Sequence, residues 1–452
     1  MKRGDTFETN IVSLAFGGRG IGHSPDGRVA FVDDTVPGDT VLAYYTKIKR
    51  DYVEARVESV LSPSEDRVEP RCRHVGECGG CRLQHMRYEA QAAAKGLQVA
   101  EALAHLGGLA EVPVRDTVPA ASPWAYRNKM DFTFGTTDEG RVALGMHRRG
   151  RFDRIVDLSE CHLVDERVMA LVAAVREWAT THGLDPYEPR GAVGLLRYLV
   201  VRLGQATGDV LVDLVTTSPA PPESASFVGT VRSVFENATV VHTTHRGRAT
   251  AYMVETQEVL IGRGSIEERL GEWRFEISPE SFFQTNTAMA ELLCSTAADA
   301  AGLTGDERVL DLYCGTGAIG ITLSRQAGSV LGLEVSEAAV ANAVRNAALN
   351  EVDNATFVAA KAEEGLAEVL QRHGPFDVAV VDPPRAGLHP KALRTLADCQ
   401  VGRIAYVSCN PATLARDLAT LGEAGFRVLW VQPIDMFPHT PHVEAVVALQ
   451  RA

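Results

Sequence analysis

The strongest constraint on the fold is a regular alternation of strand-like and helix-like segments from about residue 300 to the end of the chain. Apolar runs such as Arg308–Leu312 and Arg403–Ser408 alternate with Ala-rich segments such as Glu337–Asn350. This alternation is typical of a parallel sheet with helices on both faces. No helical pattern separates the last two strands, Arg427–Ile434 and Val443–Gln450, so we expect an antiparallel hairpin at the sheet edge.

The N-terminal residues have a different pattern, which predicts a small β-barrel. Short β-rich runs alternate with Gly, Pro and Asp turns. Five strands in about sixty residues suggest an oligonucleotide-binding barrel, with an SH3-like barrel as the alternative. The predicted strands include Thr9–Leu14, Val29–Val32, Thr40–Lys47 and Tyr52–Val60.

The chain thus divides into three predicted domains. Residues 1–62 form the barrel, residues 63–275 a central mixed α/β domain, and residues 276–452 the doubly wound α/β domain. A helix over about residues 88–106 belongs to the central stretch, but it is also a candidate to pack on the C-terminal domain.

Composition restricts the class of protein further. The 452 residues are 45% hydrophobic and 23% charged, as in ordinary globular proteins. No run of about 18 apolar residues and no apolar leader is present, so we expect a cytoplasmic protein that does not contact membranes. A net charge of −13 disfavours nucleic-acid binding by bulk electrostatics, but Arg141–Arg154 is locally basic.

A glycine loop in the C-terminal domain predicts a nucleotide cofactor. Gly315, Gly317 and Gly320 follow a strand and open a helix, and Glu334 ends the next strand. Taken alone, this G-x-G-x-x-G pattern predicts a NAD-dependent oxidoreductase. Asp311, just before the loop, and the antiparallel hairpin point instead to S-adenosylmethionine, whose amino-acid end is cationic.

Two further segments end at the same edge of the sheet. Asp382-Pro-Pro-Arg385 follows an apolar strand, and its prolines stiffen a loop that could position a planar base. Cys409 follows the strand Arg403–Ser408, where a nucleophile would be held rigidly. The competing interpretation of Cys409 is a small, buried, apolar residue.

These motifs together resemble those of the S-adenosylmethionine-dependent RNA uracil-5-methyltransferases. The resemblance covers nearly the whole chain and implies a Rossmann-like methyltransferase domain preceded by an RNA-binding TRAM barrel. It is strongest for the branch that makes 5-methyluridine in large-subunit (23S) ribosomal RNA, with tRNA as the alternative substrate. The motifs are Asp311-Leu-Tyr-Cys-Gly-Thr-Gly, Asp382-Pro-Pro-Arg, Ser408-Cys-Asn-Pro and His439-Thr-Pro-His-Val-Glu444.

The resemblance also implies residue roles. Cys409 matches the family's nucleophile and Glu444 its general base. The expected contacts with S-adenosylmethionine are Gln284, Tyr313, Glu334 and Asp382, together with Asp311, Gly315 and Gly317 of the glycine loop.

Cysteine spacing predicts a metal site. Cys72, Cys78 and Cys81 lie close together, and the spacing alone favours structural zinc, with His74, His85 or Cys161 as the fourth ligand. The resemblance instead implies a [4Fe–4S] cluster held by these three cysteines and Cys161. We expect a structural or RNA-positioning role for it, since methyl transfer needs no electron carrier.

The chemistry of uracil C5 methylation explains why these residue types are needed. Carbon 5 becomes nucleophilic when a thiolate adds to carbon 6, and a base must later remove the carbon 5 proton. Arg385 is a candidate to stabilise the developing oxyanion. We expect a monomeric enzyme that flips its target base out of the RNA. A catalytically inactive RNA-binding or ribosome-assembly protein is the non-enzymatic alternative.

Overall fold

The computed structural model describes residues 1–248 and 252–452. The first sixty-two residues form a six-stranded sheet in the order β1-β5-β6-β4-β3-β2. Its core contains Phe7, Val32, Val41, Tyr45 and Val53, all buried. The strands are β1 (Thr6–Asn10), β2 (Ser13–Ala15), β3 (Arg19–His23), β4 (Val29–Asp33), β5 (Thr40–Ile48) and β6 (Tyr52–Ser62).

This sheet corrects one detail of the sequence prediction, which had five strands and a single strand over Thr9–Leu14. The chain breaks there because consecutive residues bond to different partners. The Ile11 amide donates to the Asp39 carbonyl, whereas the Val12 amide donates to the Ile21 carbonyl. One predicted strand is therefore two, β1 and β2, on opposite edges of the sheet.

Helix α1 (Tyr88–Gly107) connects the N-terminal part to the C-terminal domain. Its residues Val99 and Leu103 are fully buried in the same apolar cluster as Leu414 and Leu418 of the C-terminal domain. Gly108 ends the helix in a left-handed conformation, at φ 66°, which glycine adopts without a steric penalty. The helix thus packs on the C-terminal domain, 300 residues further along the chain.

The central domain is a seven-stranded sheet in the order β13-β12-β11-β10-β7-β8-β9. One face is covered by α2, whose Leu171, Val172 and Val175 pack against Phe132 and Leu199 of the sheet. The elements are β7 (Lys129–Thr136), β8 (Val142–Arg148), β9 (Arg151–Asp157), α2 (Glu166–Thr181), β10 (Leu196–Leu203), β11 (Val210–Thr216), α3 (Ser224–Arg232), β12 (Thr239–Thr244) and β13 (Thr256–Ile261).

A short hairpin joins the central sheet to the C-terminal domain. It consists of β14 (Ile266–Leu270) and β15 (Trp273–Ile277). Its buried side chains, including Phe275, share one apolar cluster with α4 (Thr287–Ala301) and the C-terminal sheet. The hairpin therefore packs as part of the C-terminal core.

The C-terminal domain is a seven-stranded sheet in the order β18-β17-β16-β19-β20-β22-β21. All pairs are parallel except β20–β22 and β21–β22, which are antiparallel. The elements are β16 (Arg308–Leu312), α5 (Ala318–Leu323), β17 (Ser329–Glu334), α6 (Glu337–Leu349), β18 (Ala355–Ala359), α7 (Ala362–His373), β19 (Val378–Val381), α8 (Pro390–Asp398), β20 (Arg403–Ser408), α9 (Pro411–Glu423), β21 (Phe426–Ile434) and β22 (Glu444–Arg451).

This topology confirms the predicted α/β class and the antiparallel hairpin at the sheet edge. The strands that alternate with helices run parallel because each helical crossover returns the chain to the end of the sheet at which the previous strand began. The carboxyl ends of β16, β17, β19 and β20 therefore meet at one edge, where open α/β sheets bind ligands. Among the described residues, no helix has both the length and the apolar character needed to cross a membrane.

Candidate active site

A cavity of about 760 Å³ lies at the carboxyl edge of the C-terminal sheet. It brings together side chains from five strand ends and two loops. One wall comes from residues 280–285, which precede α4, and the opposite wall includes Pro383 and Pro384. The site residues expected from the sequence that line the cavity are Gln284, Asp311, Tyr313, Gly315, Glu334, Asp382, Arg385, Cys409 and Glu444.

Cys409 and Glu444 each lie one residue beyond the last recorded pair of an antiparallel strand pair. Strands β20 and β22 pair with Ser408 opposite Ala445. Continuing that register by one residue sets Cys409 opposite Glu444, and residues opposite each other in such a pair have Cα atoms about 4.5–5.5 Å apart. The strand register thus brings together a thiol and a carboxyl group that are 35 residues apart in sequence.

The loop after β20 is fixed by hydrogen bonds to the proline loop. Asn410 caps α9 by accepting a bond from the Ala412 amide at 3.1 Å. Its side-chain nitrogen donates to the Arg385 carbonyl at 3.0 Å. These bonds hold the backbone next to Cys409 and the backbone of Arg385 in a fixed relation.

The Cys409 thiol is protonated at neutral pH in the free protein. Burial, together with the nearby carboxyl groups of Glu444 and Asp382, raises the pKa of Cys409 to about 11. Arg385 lowers the pKa of Cys409 because its cation stabilises a thiolate. Formation of a Cys409 thiolate is therefore favoured by positive charge within the cavity.

The carboxyl groups of the cavity are also perturbed. Burial and the nearby charge of Asp382 raise the pKa of Glu444 well above its usual value. Burial raises the pKa of Asp382 to about 6. His442, two residues before Glu444, has its pKa lowered to about 4 by burial and by the charge of Arg385, so its ring is neutral at pH 7.

The glycine loop curves tightly around one end of the cavity. Tyr313 adopts a left-handed backbone conformation, at φ 64°, which is rare for a residue with a side chain. The Gly315 amide donates to the Glu334 carboxylate at 3.2 Å, which ties the loop to the end of β17. Gly317 does not line the cavity. A side chain there would come within 3.1 Å of both Ala343 and Ile321, so its small size allows helices α5 and α6 to pack closely.

Asp311 has the strongest signature of a missing cationic partner. It is fully buried, and in the part of the chain that the structure describes neither of its carboxylate oxygens accepts a hydrogen bond of normal geometry. Burial raises its pKa to about 8, and the neighbouring Asp382 contributes in the same direction. A buried carboxyl group without a partner is costly, and a cationic ligand would relieve that cost.

The central domain holds the wall that carries Gln284, a contact that no local sequence pattern indicates. The Asn128 side chain donates to the Gln284 carbonyl at 2.8 Å and to the Thr287 hydroxyl at 2.9 Å. The buried Arg202 guanidinium donates to the Pro279 carbonyl at 3.0 Å and also to the Ser281 carbonyl. Residues 279–285 therefore depend on the central sheet for their conformation.

Helix α1 holds the loop that leads to Glu444. The buried Lys95 ammonium donates to Asp435 at 2.6 Å and to the Phe437 carbonyl at 3.1 Å. Gln91 accepts a bond from the His439 amide at 3.0 Å. Each of these contacts joins residues more than 330 positions apart, so no local sequence signal reveals them.

The four predicted metal-ligating cysteines lie around a second, smaller cavity. Cys72, Cys78, Cys81 and Cys161 all line a space of about 140 Å³. Burial raises the pKa of Cys81 to about 12 and that of Cys161 to about 11. Among the described residues, no three His, Cys, Asp or Glu side chains group closely enough to hold a metal ion, so the [4Fe–4S] cluster stays a prediction.

The cysteine loop is attached to both neighbouring domains. The Gly79 amide donates to the His147 carbonyl of β8 at 3.0 Å. Immediately after Cys81, the amides of Arg82 and Leu83 donate to the His439 carbonyl at 2.9 and 3.0 Å. The loop thus contacts the segment that precedes Glu444.

A glycine loop, a mostly parallel sheet with a terminal antiparallel hairpin, and an unpartnered acid at the cofactor edge define an S-adenosylmethionine-dependent methyltransferase. Residues 231–452 match the family model described as tRNA (Uracil-5-)-methyltransferase. The chain is 36% identical over 449 residues to an uncharacterized RNA methyltransferase of Listeria innocua, covering 99% of this chain and 98% of the relative. A relative with the same description from Caldanaerobacter subterraneus is 38% identical over 455 residues, with full coverage of both chains.

The chain belongs to the RNA (uracil-5-)-methyltransferase family. Among solved structures, it is similar to the Pyrococcus abyssi tRNA (uracil-54, C5)-methyltransferase in complex with S-adenosyl-L-homocysteine. That similarity has a TM-score of 0.78 and 29% sequence identity, and it covers 98% of this chain and 99% of the other. The methyl donor is S-adenosylmethionine, and the NAD-dependent oxidoreductase suggested by the glycine pattern alone is wrong.

Proposed function

We propose that this protein methylates carbon 5 of a uridine in 23S ribosomal RNA through a covalent bond between Cys409 and carbon 6 of the base. The observation that carries the proposal is the register of β20 and β22, which sets a thiol opposite a carboxyl group in the cavity. One group suits attack on carbon 6, and the other suits proton removal from carbon 5.

The cavity residues fit S-adenosylmethionine, which supplies an electrophilic methyl group when bound. The unpartnered Asp311 carboxylate would compensate the cationic amino-acid end, and Glu334 at the end of β17 would accept from the ribose hydroxyls. Tyr313, Gln284, Asp382 and Gly315 complete the proposed contacts. Gly317 contributes to the shape of the loop rather than to a direct contact.

Cys409 begins the reaction on the base. Its thiolate form adds to carbon 6, and the electron pair of the ring double bond makes carbon 5 nucleophilic. Arg385 favours the thiolate form and is our candidate to stabilise the developing negative charge at the pyrimidine carbonyl. The neutral His442 ring lines the same cavity without adding charge.

Glu444 ends the reaction. After carbon 5 is methylated, Glu444 takes the carbon 5 proton, the double bond re-forms, and the thiolate leaves. Because burial raises the pKa of Glu444, the carboxylate is a stronger base than an exposed one. Loss of this group should leave the protein covalently bound to methylated RNA.

The cysteine cavity supports the proposal of a [4Fe–4S] cluster. Cys72, Cys78, Cys81 and Cys161 all line this cavity, and four cysteine thiolates are the usual ligand set of such a cluster. Structural zinc is the alternative, because it accepts the same four ligands. We assign the cluster a structural role, because its loop contacts the His439 carbonyl next to the catalytic segment.

The proposal that ribosomal RNA is the substrate rests on the domains that the chain contains. The cysteine set and the N-terminal sheet, which we propose is a TRAM domain, resemble the ribosomal branch of the family. Transfer RNA is the second candidate, and the similarity to the Pyrococcus abyssi tRNA (uracil-54, C5)-methyltransferase favours it.

Mapping 5-methyluridine in ribosomal and transfer RNA from a deletion strain separates the two candidates. We expect loss of the modification at one or more 23S ribosomal sites and restoration by the wild-type gene but not by Cys409→Ala. Loss confined to tRNA would assign the other substrate, and unchanged RNA of both kinds would contradict the proposed function.

A further inference from the structure

The central domain contains another cavity, outside the methyltransferase site. It has a volume of about 260 Å³ and lies between strands β7–β9 and the loop of residues 186–190. Aromatic and arginine side chains dominate its lining, among them Phe134, Phe152, Tyr187, Arg154 and Arg190. The proposed catalytic mechanism uses none of these residues.

A buried hydroxyl group indicates that this cavity holds a polar ligand. Tyr187 is only 8% exposed, yet its hydroxyl group has no hydrogen-bond partner among the described residues. Tyr187 lies in the lining of the cavity. Buried polar atoms nearly always have partners in native structures, so this hydroxyl group points to a missing one.

The rim of the cavity suits a nucleotide. Phe152 is 62% exposed although it is a large aromatic residue, and nucleobases stack on such side chains regardless of sequence. Arg154 and Arg190 are also exposed and lie in the lining, where they can contact phosphate. Their present partners are Asp138 and Asp153, at 2.8 and 2.6 Å.

Strand β10 joins this cavity to the methyltransferase site along one face of the central sheet. Leu199 and Val201 point into the core under α2. Tyr198 and Arg202 alternate with them and lie on the opposite face. Tyr198 lines the cavity at one end of that face, and Arg202 bonds the Ser281 carbonyl of the cofactor wall at the other. Four residues of strand span roughly 13 Å.

We propose that this cavity binds one unpaired nucleotide of the RNA substrate, a few positions from the uridine that is methylated. The base stacks on Phe152 and bonds to the Tyr187 hydroxyl, and Arg154 or Arg190 contacts the adjacent phosphate. The inference rests on RNA as the substrate and adds a recognition site that selects the sequence or shape around the target.

The test is a double-mutant cycle between the protein and the RNA. Binding is measured for wild type and for Phe152→Ala. The first RNA is a stem-loop that wild type methylates. The others are versions of this stem-loop, each with one abasic position outside the target uridine. Leu106→Ala is the control, because Leu106 is 63% exposed and belongs to α1, away from the cavity lining.

We expect Phe152→Ala to raise the RNA Kd about tenfold, in the range of a lost base–aromatic stack. One abasic position should weaken wild-type binding similarly and have no further effect in Phe152→Ala. Tyr187→Phe should alter the preference for the base at that position. The Kd for S-adenosylmethionine and the behaviour of Leu106→Ala should match wild type.

The inference is overturned if Phe152→Ala binds RNA within twofold of Leu106→Ala, or if every abasic position weakens both proteins equally. Either result leaves methyl transfer by wild type intact. Failure of the proposed function would instead appear as an absence of methylated product with wild type, so the two outcomes are distinguishable.

Discussion

At the scale of single residues, the charge around Cys409 decides whether the thiol can react. The free cavity disfavours a thiolate, because burial and the carboxyl groups of Glu444 and Asp382 all raise the Cys409 pKa. A cationic ligand next to Asp311 and Asp382 would reverse part of this effect. We therefore expect cofactor binding in the cavity to lower the Cys409 pKa and favour the thiolate.

This coupling predicts opposite effects of two substitutions on the Cys409 pKa. Arg385→Gln removes a cation and should raise it, whereas Glu444→Gln removes an acid and should lower it. Below the pKa, the thiolate fraction changes about tenfold per pKa unit. Iodoacetamide labelling of the Cys409 peptide between pH 7 and pH 10 should thus be slower in Arg385→Gln and faster in Glu444→Gln.

Cys399 provides an internal reference for this measurement. It is partly exposed at the end of α8, before β20 begins, and its pKa is raised by burial and lowered by Arg451 rather than by Arg385. Its labelling rate should be the same in all three proteins. A parallel change at Cys399 would show that the substitutions altered the fold, and equal Cys409 rates would contradict the electrostatic account.

At the scale of elements, the sequence predicts some parts of the fold well and others poorly. Every strand expected after residue 300 is present, with ends that differ by one residue at most, because buried parallel strands are continuous apolar runs between helices. The N-terminal sheet was less predictable, since the break between Thr9 and Leu14 depends on partners at Asp39 and Ile21.

In the candidate site, too, some residues could be predicted from the sequence and others could not. Cys409 and the glycine loop follow strands, and Asp311 and Glu444 lie at the end of β16 and at the start of β22, so their convergence could be predicted from the sequence. The supporting residues could not, because Asn128, Arg202 and Lys95 act through partners between 77 and 340 positions away. Nothing local distinguishes them from ordinary surface polar residues.

The buried ion pair between Lys95 of α1 and Asp435 is predicted to hold the catalytic segment in place. Lys95→Met would leave the Asp435 carboxylate buried without its partner, at a cost of about 3–5 kcal/mol. We expect a lower urea midpoint and faster hydrogen exchange in residues 435–443. The double variant Lys95→Met/Asp435→Leu should recover most of the stability, because no unpaired charge remains.

Failure of that recovery would show that Asp435 contributes through another contact, since its carboxylate also accepts from the Phe437 amide at 3.1 Å. A Lys95→Met protein with wild-type stability would contradict the prediction that the ion pair between Lys95 and Asp435 holds the catalytic segment in place. Lys361→Met is the matched control, because Lys361 forms an exposed pair with Glu364 that should contribute little.

At the scale of the whole molecule, the central domain and the methyltransferase domain share the cofactor site. Arg202 and Asn128 belong to the central sheet, but they hold the backbone on either side of Gln284. RNA bound to the central domain can therefore influence the cofactor wall through β10. The net charge of −13 is compatible with RNA binding because arginines concentrate in Arg141–Arg154.

Arg202→Met should weaken S-adenosylmethionine binding, although Arg202 is not among the proposed ligand contacts. The substitution removes bonds to the Pro279 and Ser281 carbonyls, so the wall that carries Gln284 loses its support. We expect the Kd for S-adenosylmethionine, measured by calorimetry, to rise about tenfold, as for lost bonds to a charged group. Arg232→Met, which removes an exposed arginine that bonds the Glu236 carbonyl, should have no effect. Equal affinities in the two variants would contradict this domain coupling.

The central claim is that Cys409 forms a covalent bond with the target uracil. The most direct measurement incubates the protein with S-adenosylmethionine carrying a tritiated methyl group and with RNA containing 5-fluorouridine, which has no carbon 5 proton for Glu444 to remove. We predict a labelled protein–RNA adduct that survives denaturing electrophoresis and maps to the Cys409 peptide. It should persist in Cys399→Ala and disappear in Cys409→Ala. An undiminished adduct in Cys409→Ala would contradict the claim.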